Sequence, residues 1–147
     1  MFKRIVVGTD GSDTASQAVA KASELAKLVG AELNIVSAFE PVSKNRLAAE
    51  RSDAPADVQY EISPSEDVNL TLEAAAAPAR KEGVDVHIHP VQGDPSDAII
   101  NTAEKVDADL VIVGNKGMTG ARRFILGSVP NNISHHAPCS VMIVHTT

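Results

Sequence analysis

Two uninterrupted runs of aliphatic residues, Ile5-Val6-Val7 and Leu110-Val111-Ile112-Val113, constrain this chain more than any other feature. A strand with one face in water alternates apolar and polar residues. An unbroken run marks a strand covered on both faces, the situation of a parallel sheet lying between two layers of helices.

The stretches around these runs supply the rest of that architecture. After a first strand within residues 3–9, Asp10-Gly11-Ser12-Asp13 turns the chain and Ser12 is placed to cap a helix. Ala15, Val19, Ala22, Leu25, Ala26 and Val29 then fall on one helical face, which Gly30 ends. Residues 31–39 (AELNIVSAF) read as a second strand. Residues 40–63 are polar, contain Pro55 and lack periodicity, so they read as a long surface loop, either a mobile insertion or a lid. Ser63-Pro64-Ser65-Glu66 is a capping box with proline at the first helical position, and its helix should run to about Glu82 and stop at Gly83. Pro78 inside that helix has no N–H to offer Ala74. Residues 84–91 (VDVHIHPV) alternate as a strand that carries His87 and His89 on one polar face. Gly93-Asp94-Pro95-Ser96-Asp97 repeats the cap-plus-proline device before Ala98, Ile99, Ala103 and Val106. A strand at 109–113, a glycine loop, a helix over about 128–136 and a last strand at 140–144 complete the chain. Four βα units and a closing strand imply one α/β domain over residues 1–147, with a five-stranded, mostly parallel sheet and helices on both faces. A chain of 147 residues is the size of one ordinary domain.

Composition narrows the partners. Thirteen Lys+Arg against nineteen Asp+Glu give a formal charge of −6, which speaks against a broad electrostatic grip on nucleic acid or anionic lipid. Any phosphate must be held locally. Aromatic residues make up 3% with no Trp, which also argues against base-stacking platforms. Cys139 is the single cysteine, the N-terminus lacks a signal-peptide apolar run, and no stretch approaches the roughly 18–20 apolar residues of a membrane span. The expectation is a cytoplasmic protein with neither nucleic acid nor membrane as partner.

Ligands of open α/β sheets bind beyond the carboxyl ends of strands where strand order reverses, a rule that nominates Gly8, Thr9, Asp10, residues 37–39 and the loop at Gly114. That loop and its sequel, GNKGMTGARRFILGS, reduce to G-x2-G-x9-G-S: Gly114, Gly117, Gly127 and Ser128. Glycines let backbone N–H groups approach a phosphate without a Cβ in the way, and Gly127-Ser128 adds a hydroxyl at a helix N-terminus. An anion can be held this way by an acidic protein.

With these residues the whole chain resembles the universal stress protein family, whose nucleotide-binding branch carries G-x2-G-x9-G-[ST] after its fourth strand, an Asp ending its first and a V-x-V-like last strand. The corresponding residues are the glycine set above, Val7-Gly8-Thr9-Asp10-Gly11-Ser12, and Val141-Met142-Ile143-Val144. The resemblance implies strand order 3-2-1-4-5 in a Rossmann-like fold of the adenine nucleotide alpha hydrolase type. It further implies ATP in the cleft, with Asp10 near the ribose or Mg²⁺, the Ala38 backbone at the adenine edge, and Gly117, Gly127, Ser128 and Val129 around the phosphates. Val113, Gly114 and Asn115 complete the expected nucleotide-binding set with Gly8 and Thr9. Cyclic AMP is the alternative ligand. Two departures from the family pattern are Gly8, where Pro is frequent, and Asn115-Lys116, where a Ser/Ala-His/Arg pair is common.

Other chemistry finds less support. There is no G-x-x-x-x-G-K-[ST], no G-x-G-x-x-G after the first strand and no G-x-S-x-G, against a Walker-type ATPase, a dehydrogenase and an α/β-hydrolase. His87 and His89 have no Cys or His at ligand spacing and read as a solvated strand face. His135 and His136 suit a helix C-terminus. Lys116, Arg122 and Arg123 read equally as phosphate contacts and as a solvated loop. No dedicated catalytic base stands out, so the expected function is nucleotide-dependent regulation, with slow ATP hydrolysis or autophosphorylation on Ser128 or Thr119 as the enzymatic alternative. The last strand has nothing after it to cover its outer edge, and homodimerisation through Val141, Met142, Ile143 and Val144 is expected there.

Overall fold

The computed structural model describes residues 1–40, 64–115 and 128–146. Five strands, β1 (Arg4–Gly8), β2 (Glu32–Phe39), β3 (Val86–Gln92), β4 (Leu110–Gly114) and β5 (Ser140–Val144), form one parallel sheet in the order β3-β2-β1-β4-β5. Four helices among the described residues connect them: α1 (Asp13–Val29), α2 (Pro64–Lys81), α3 (Pro95–Lys105) and α4 (Ser128–His136). Of the loop expected at 40–63, residues 41–63, and most of the glycine loop, residues 116–127, lie outside the described residues.

The unbroken runs are buried on both faces for the reason their composition suggests. Ile5 and Val7 join Leu33, Ile35, Leu110 and Ile112 under α1 and α2, whereas Val6, Val36, Val111 and Val113 lie under α3 and α4. The helices answer with small residues: Ala18, Ala22 and Ala26 of α1 and Ala76 and Ala79 of α2 let helix and sheet approach closely, so the branched strand residues fill the space between. Each fully buried Ile, Leu or Val contributes roughly 1.5–3 kcal/mol of transfer free energy against the entropy of ordering.

Helix starts and stops follow local chemistry. The Ser12 hydroxyl accepts the Ala15 N–H at 3.3 Å, and Asp94 Oδ2 accepts the Asp97 N–H at 3.2 Å with Pro95 opening α3. Three helices end alike. A residue in the left-handed region, Gly30 (φ 71°), Gly83 (φ 87°) or Asp107 (φ 56°), turns the chain. The next residue then returns its N–H five residues back: Ala31 to Ala26, Val84 to Ala79, Ala108 to Ala103. Ala31, Val84 and Ala108 are all buried, so each ending also plants an apolar side chain. This moves one expected boundary. Val84 belongs to the ending of α2, and the third strand begins at Val86 and runs to Gln92 instead of 84–91. The ending at Asp107 carried no glycine to announce it; aspartate is one of the few other residues that tolerates this conformation.

Asp109, just before β4, accepts the N–H groups of Lys3 at 2.8 Å and Arg4 at 3.1 Å and so fixes the entry of β1. Among the described residues no helix is long and apolar enough to cross a membrane.

Candidate functional site

Strand order reverses between β1 and β4: the chain moves from β1 outward to β2 and β3, then returns to the other side of β1. Because each βα loop leaves toward a different side, the carboxyl ends of β1 and β4 part and leave a crevice. It is lined by Gly8 from β1, Val113 and Gly114 from β4, Ser12 and Ala15 from the start of α1, and Val129 and Pro130 from the start of α4. Two helix N-termini therefore open on it, one from each face of the sheet. Their first-turn N–H groups and dipoles favour a negative group there without any cationic side chain. Pro130 withholds one N–H from α4, which leaves Ser128 and Val129 as its leading donors.

The turn after β1 is held from within. Thr9 is buried, its N–H reaches the Val36 carbonyl at 2.9 Å, and its hydroxyl accepts the Gly11 N–H at 3.1 Å. Asp10 is exposed; its Oδ1 accepts the Ser12 N–H at 2.9 Å, so the carboxylate is oriented while Oδ2 has no partner among the described residues.

Ala38 is placed by register. Val36 turns its carbonyl toward β1, and two residues on, Ala38 must turn its N–H and C=O the same way. The register of β1 ends at Gly8 opposite Val36, so these two groups extend past the strand that would have bonded them. Phe39 faces the other side, where its carbonyl accepts the Gly93 N–H.

The structure thus brings Gly8, Thr9, Asp10, Ala38, Val113, Gly114, Asn115, Ser128 and Val129 to the carboxyl end of the sheet, whereas Gly117 and Gly127 lie outside the described residues. Asn115 has a different immediate task. Its N–H donates to the Val144 carbonyl, and its Oδ1 accepts both the N–H (2.8 Å) and the hydroxyl (3.0 Å) of Thr146. Thr146 is buried and lines the crevice. Sequence reasoning missed it, because its place depends on a contact 31 residues away with no local signal. Cys139 is partly buried beside the apolar layer under α3 and α4, and burial, with the Asp109 charge adding to it, pushes its thiol up from the ordinary range.

His87 and His89 share a strand face as expected, but that face is not simply solvated. His87 Nε2 lies 3.0 Å from Glu32 Oε1 and 3.3 Å from Asp85 Oδ1. His89 donates from Nε2 to Asn34 Oδ1 at 2.9 Å, and burial holds its imidazole below the ordinary value.

A single parallel sheet in the order 3-2-1-4-5, with helices on both faces and a crevice at its reversal point, defines a doubly wound α/β protein. A sequence model of the Universal stress protein family matches residues 1–145. The chain belongs to the universal stress protein family. It is 39% identical over 147 residues to Universal stress protein Rv1636 of Mycobacterium tuberculosis (strain H37Rv), covering 99% of this chain and 98% of that one. A crystal structure of a universal stress protein in complex with cAMP superposes with a TM-score of 0.73 at 33% identity, covering 99% of this chain and 98% of the other. The universal stress protein from Archaeoglobus fulgidus in complex with dAMP gives 0.66 at 26% identity, with 96% of each chain covered.

Proposed function

We propose that this protein binds an adenine nucleotide, ATP with Mg²⁺ as its counter-ion, in the crevice between β1 and β4, and acts as a cytoplasmic regulatory homodimer. The observation that carries the reading is the convergence of two helix N-termini on a crevice that Gly8 and Gly114 leave free of side chains. The residues fit the ligand. The outward N–H and C=O of Ala38 offer an acceptor–donor pair of the kind an adenine edge reads. Asp10 Oδ2 is available to a ribose hydroxyl or to Mg²⁺, and Ser128 and Val129 offer N–H groups to phosphate. The relatives solved with cAMP and dAMP support an adenine ligand.

Cyclic AMP is the second reading, favoured by the cAMP complex of the 33%-identical relative. Equilibrium dialysis against ATP and against cyclic AMP separates the two. Gly117→Val and Gly127→Val should each abolish binding while circular dichroism stays unchanged, because the family resemblance assigns both glycines of the G-x2-G-x9-G-S motif to the phosphates. Wild-type affinity in both variants would overturn the assignment. Asp10→Ala should weaken binding less, since it removes one contact of several.

A further inference from the structure

We infer that Glu32, Asp85 and His87 form a binding site for a divalent transition-metal ion of the Zn²⁺ class at the amino-terminal end of β2 and β3, the opposite end of the sheet from the crevice. The inference is independent of the nucleotide reading.

Register creates the cluster. Leu33 pairs with Val86, so Glu32 falls opposite Asp85 and Asn34 opposite His87, all on the sheet face that carries Val36 and Val91 farther along the strands. One carboxylate oxygen from each acid and His87 Nε2 lie within 4.8 Å of one another, with 3.0 Å and 3.3 Å from the imidazole nitrogen to Glu32 and Asp85. Ligand atoms bound tetrahedrally to Zn²⁺ at about 2.0–2.2 Å stand roughly 3.3–3.6 Å apart, so the cluster is close to the spacing such an ion requires. A proton on Nε2 can make a straight hydrogen bond to only one of the two carboxylates, whereas an ion bound to Nε2 can take an oxygen from both.

The second observation is how the ligands are aimed. Asn34 is 1% exposed, and its Nδ2 donates to Glu32 Oε2 at 3.2 Å, which turns Oε1 toward His87. Asn34 is in turn fixed by His89, whose Nε2 donates to its Oδ1 at 2.9 Å. A buried amide orienting a carboxylate ligand is the kind of support that metal sites use to hold ligand geometry. Glu32 and Asp85 also border a hollow at this end of the sheet, which Lys3, Arg4 and Lys27 line as well. Of these basic residues Arg4 pairs with the cluster, its Nε 3.9 Å from Glu32 Oε2, the oxygen already engaged by Asn34; Asp107, 4.0 Å from the Arg4 guanidinium, offsets it, and Lys27 is paired with Glu82. One imidazole with two carboxylates suits Zn²⁺ and its neighbours better than Mg²⁺, which favours oxygen ligands throughout.

The test is calorimetric titration of the full-length, nucleotide-free chain with Zn²⁺ in two buffers of different ionisation enthalpy, repeated on His87→Gln, Glu32→Gln and a His135→Gln/His136→Gln double variant. The expected result is one ion per chain with proton release, weakened about tenfold or more by His87→Gln and by Glu32→Gln and unchanged in the double variant. Circular dichroism verifies each fold, and the two single variants serve as replacements for each other if one fails to fold. Absence of saturable uptake, or uptake lost in the double variant and retained in both single variants, would overturn the site and leave His87 as a neighbour of the two carboxylates only.

Discussion

Gly11 stands at φ +83°, and a Cβ there would come 3.0 Å from the Thr71 methyl of α2. Both terms act against any other residue: the left-handed conformation costs roughly 1–2 kcal/mol for an L-residue, and the neighbour must also shift. Gly11→Ala should therefore lose about 1–3 kcal/mol in urea denaturation. A loss within experimental error would show that the turn after Asp10 can relax. Cys139 gives the pH-dependent case. Burial disfavours its thiolate, so its pKa in the folded chain is higher than in the unfolded one. Folding is then favoured by the neutral thiol at pH below the unfolded value, and that contribution is lost as pH rises through the folded value. At neutral pH the native thiol should react with a disulfide reagent more slowly than the same thiol in urea, and the native rate should climb as the solution is made alkaline. Equal rates in the two states at neutral pH would contradict this.

At the scale of elements, the sheet has two edge strands and treats them differently. On β3 the odd residues bond to β2, as the Leu33 N–H to Asp85 carbonyl bond shows, so Pro90 turns its missing donor outward. A proline on the free side blunts an edge against further pairing. On β5 the Val144 carbonyl faces β4, which leaves Val141 and Ile143 to direct their N–H and C=O groups away from the sheet. No proline interrupts that edge, and Met142 and Ile143 are exposed. This asymmetry supports the proposed pairing of two copies through β5. Ile143→Pro removes an outward donor and spares the bonds to β4, so light scattering should report a monomer with native circular dichroism. A wild-type chain that is monomeric at high micromolar concentration, with and without ATP, would exclude pairing through β5.

For the molecule as a whole, the crevice joins the two halves of the sheet, β1 with its neighbours on one side and β4 with β5 on the other. A nucleotide bound there binds only the folded chain and should stabilise it by mass action, about 2.7 kcal/mol at a hundred times the dissociation constant. Thermal unfolding should shift upward with ATP in wild type and stay fixed in Gly117→Val. A shift of equal size in both would place the ligand elsewhere.

The sequence alone determined the elements and their order, because these rest on local physics. Unbroken apolar runs mark doubly covered strands, Ser12 and Asp94 announce helix starts, Gly30 and Gly83 announce stops, and four βα units can close in few ways. It also determined which residues gather at the carboxyl ends of the strands, since direction along a parallel sheet is fixed once the elements are. What tertiary structure decided is everything that depends on register between distant segments. The outward amide of Ala38 exists because β1 stops opposite Val36. Asn115 is tied to Thr146 because β5 lies beside β4. His87 meets Glu32 because Leu33 pairs with Val86. No window along the chain contains both partners of these last two contacts, and a shift of one residue in either strand pair would send the side chains to opposite faces of the sheet.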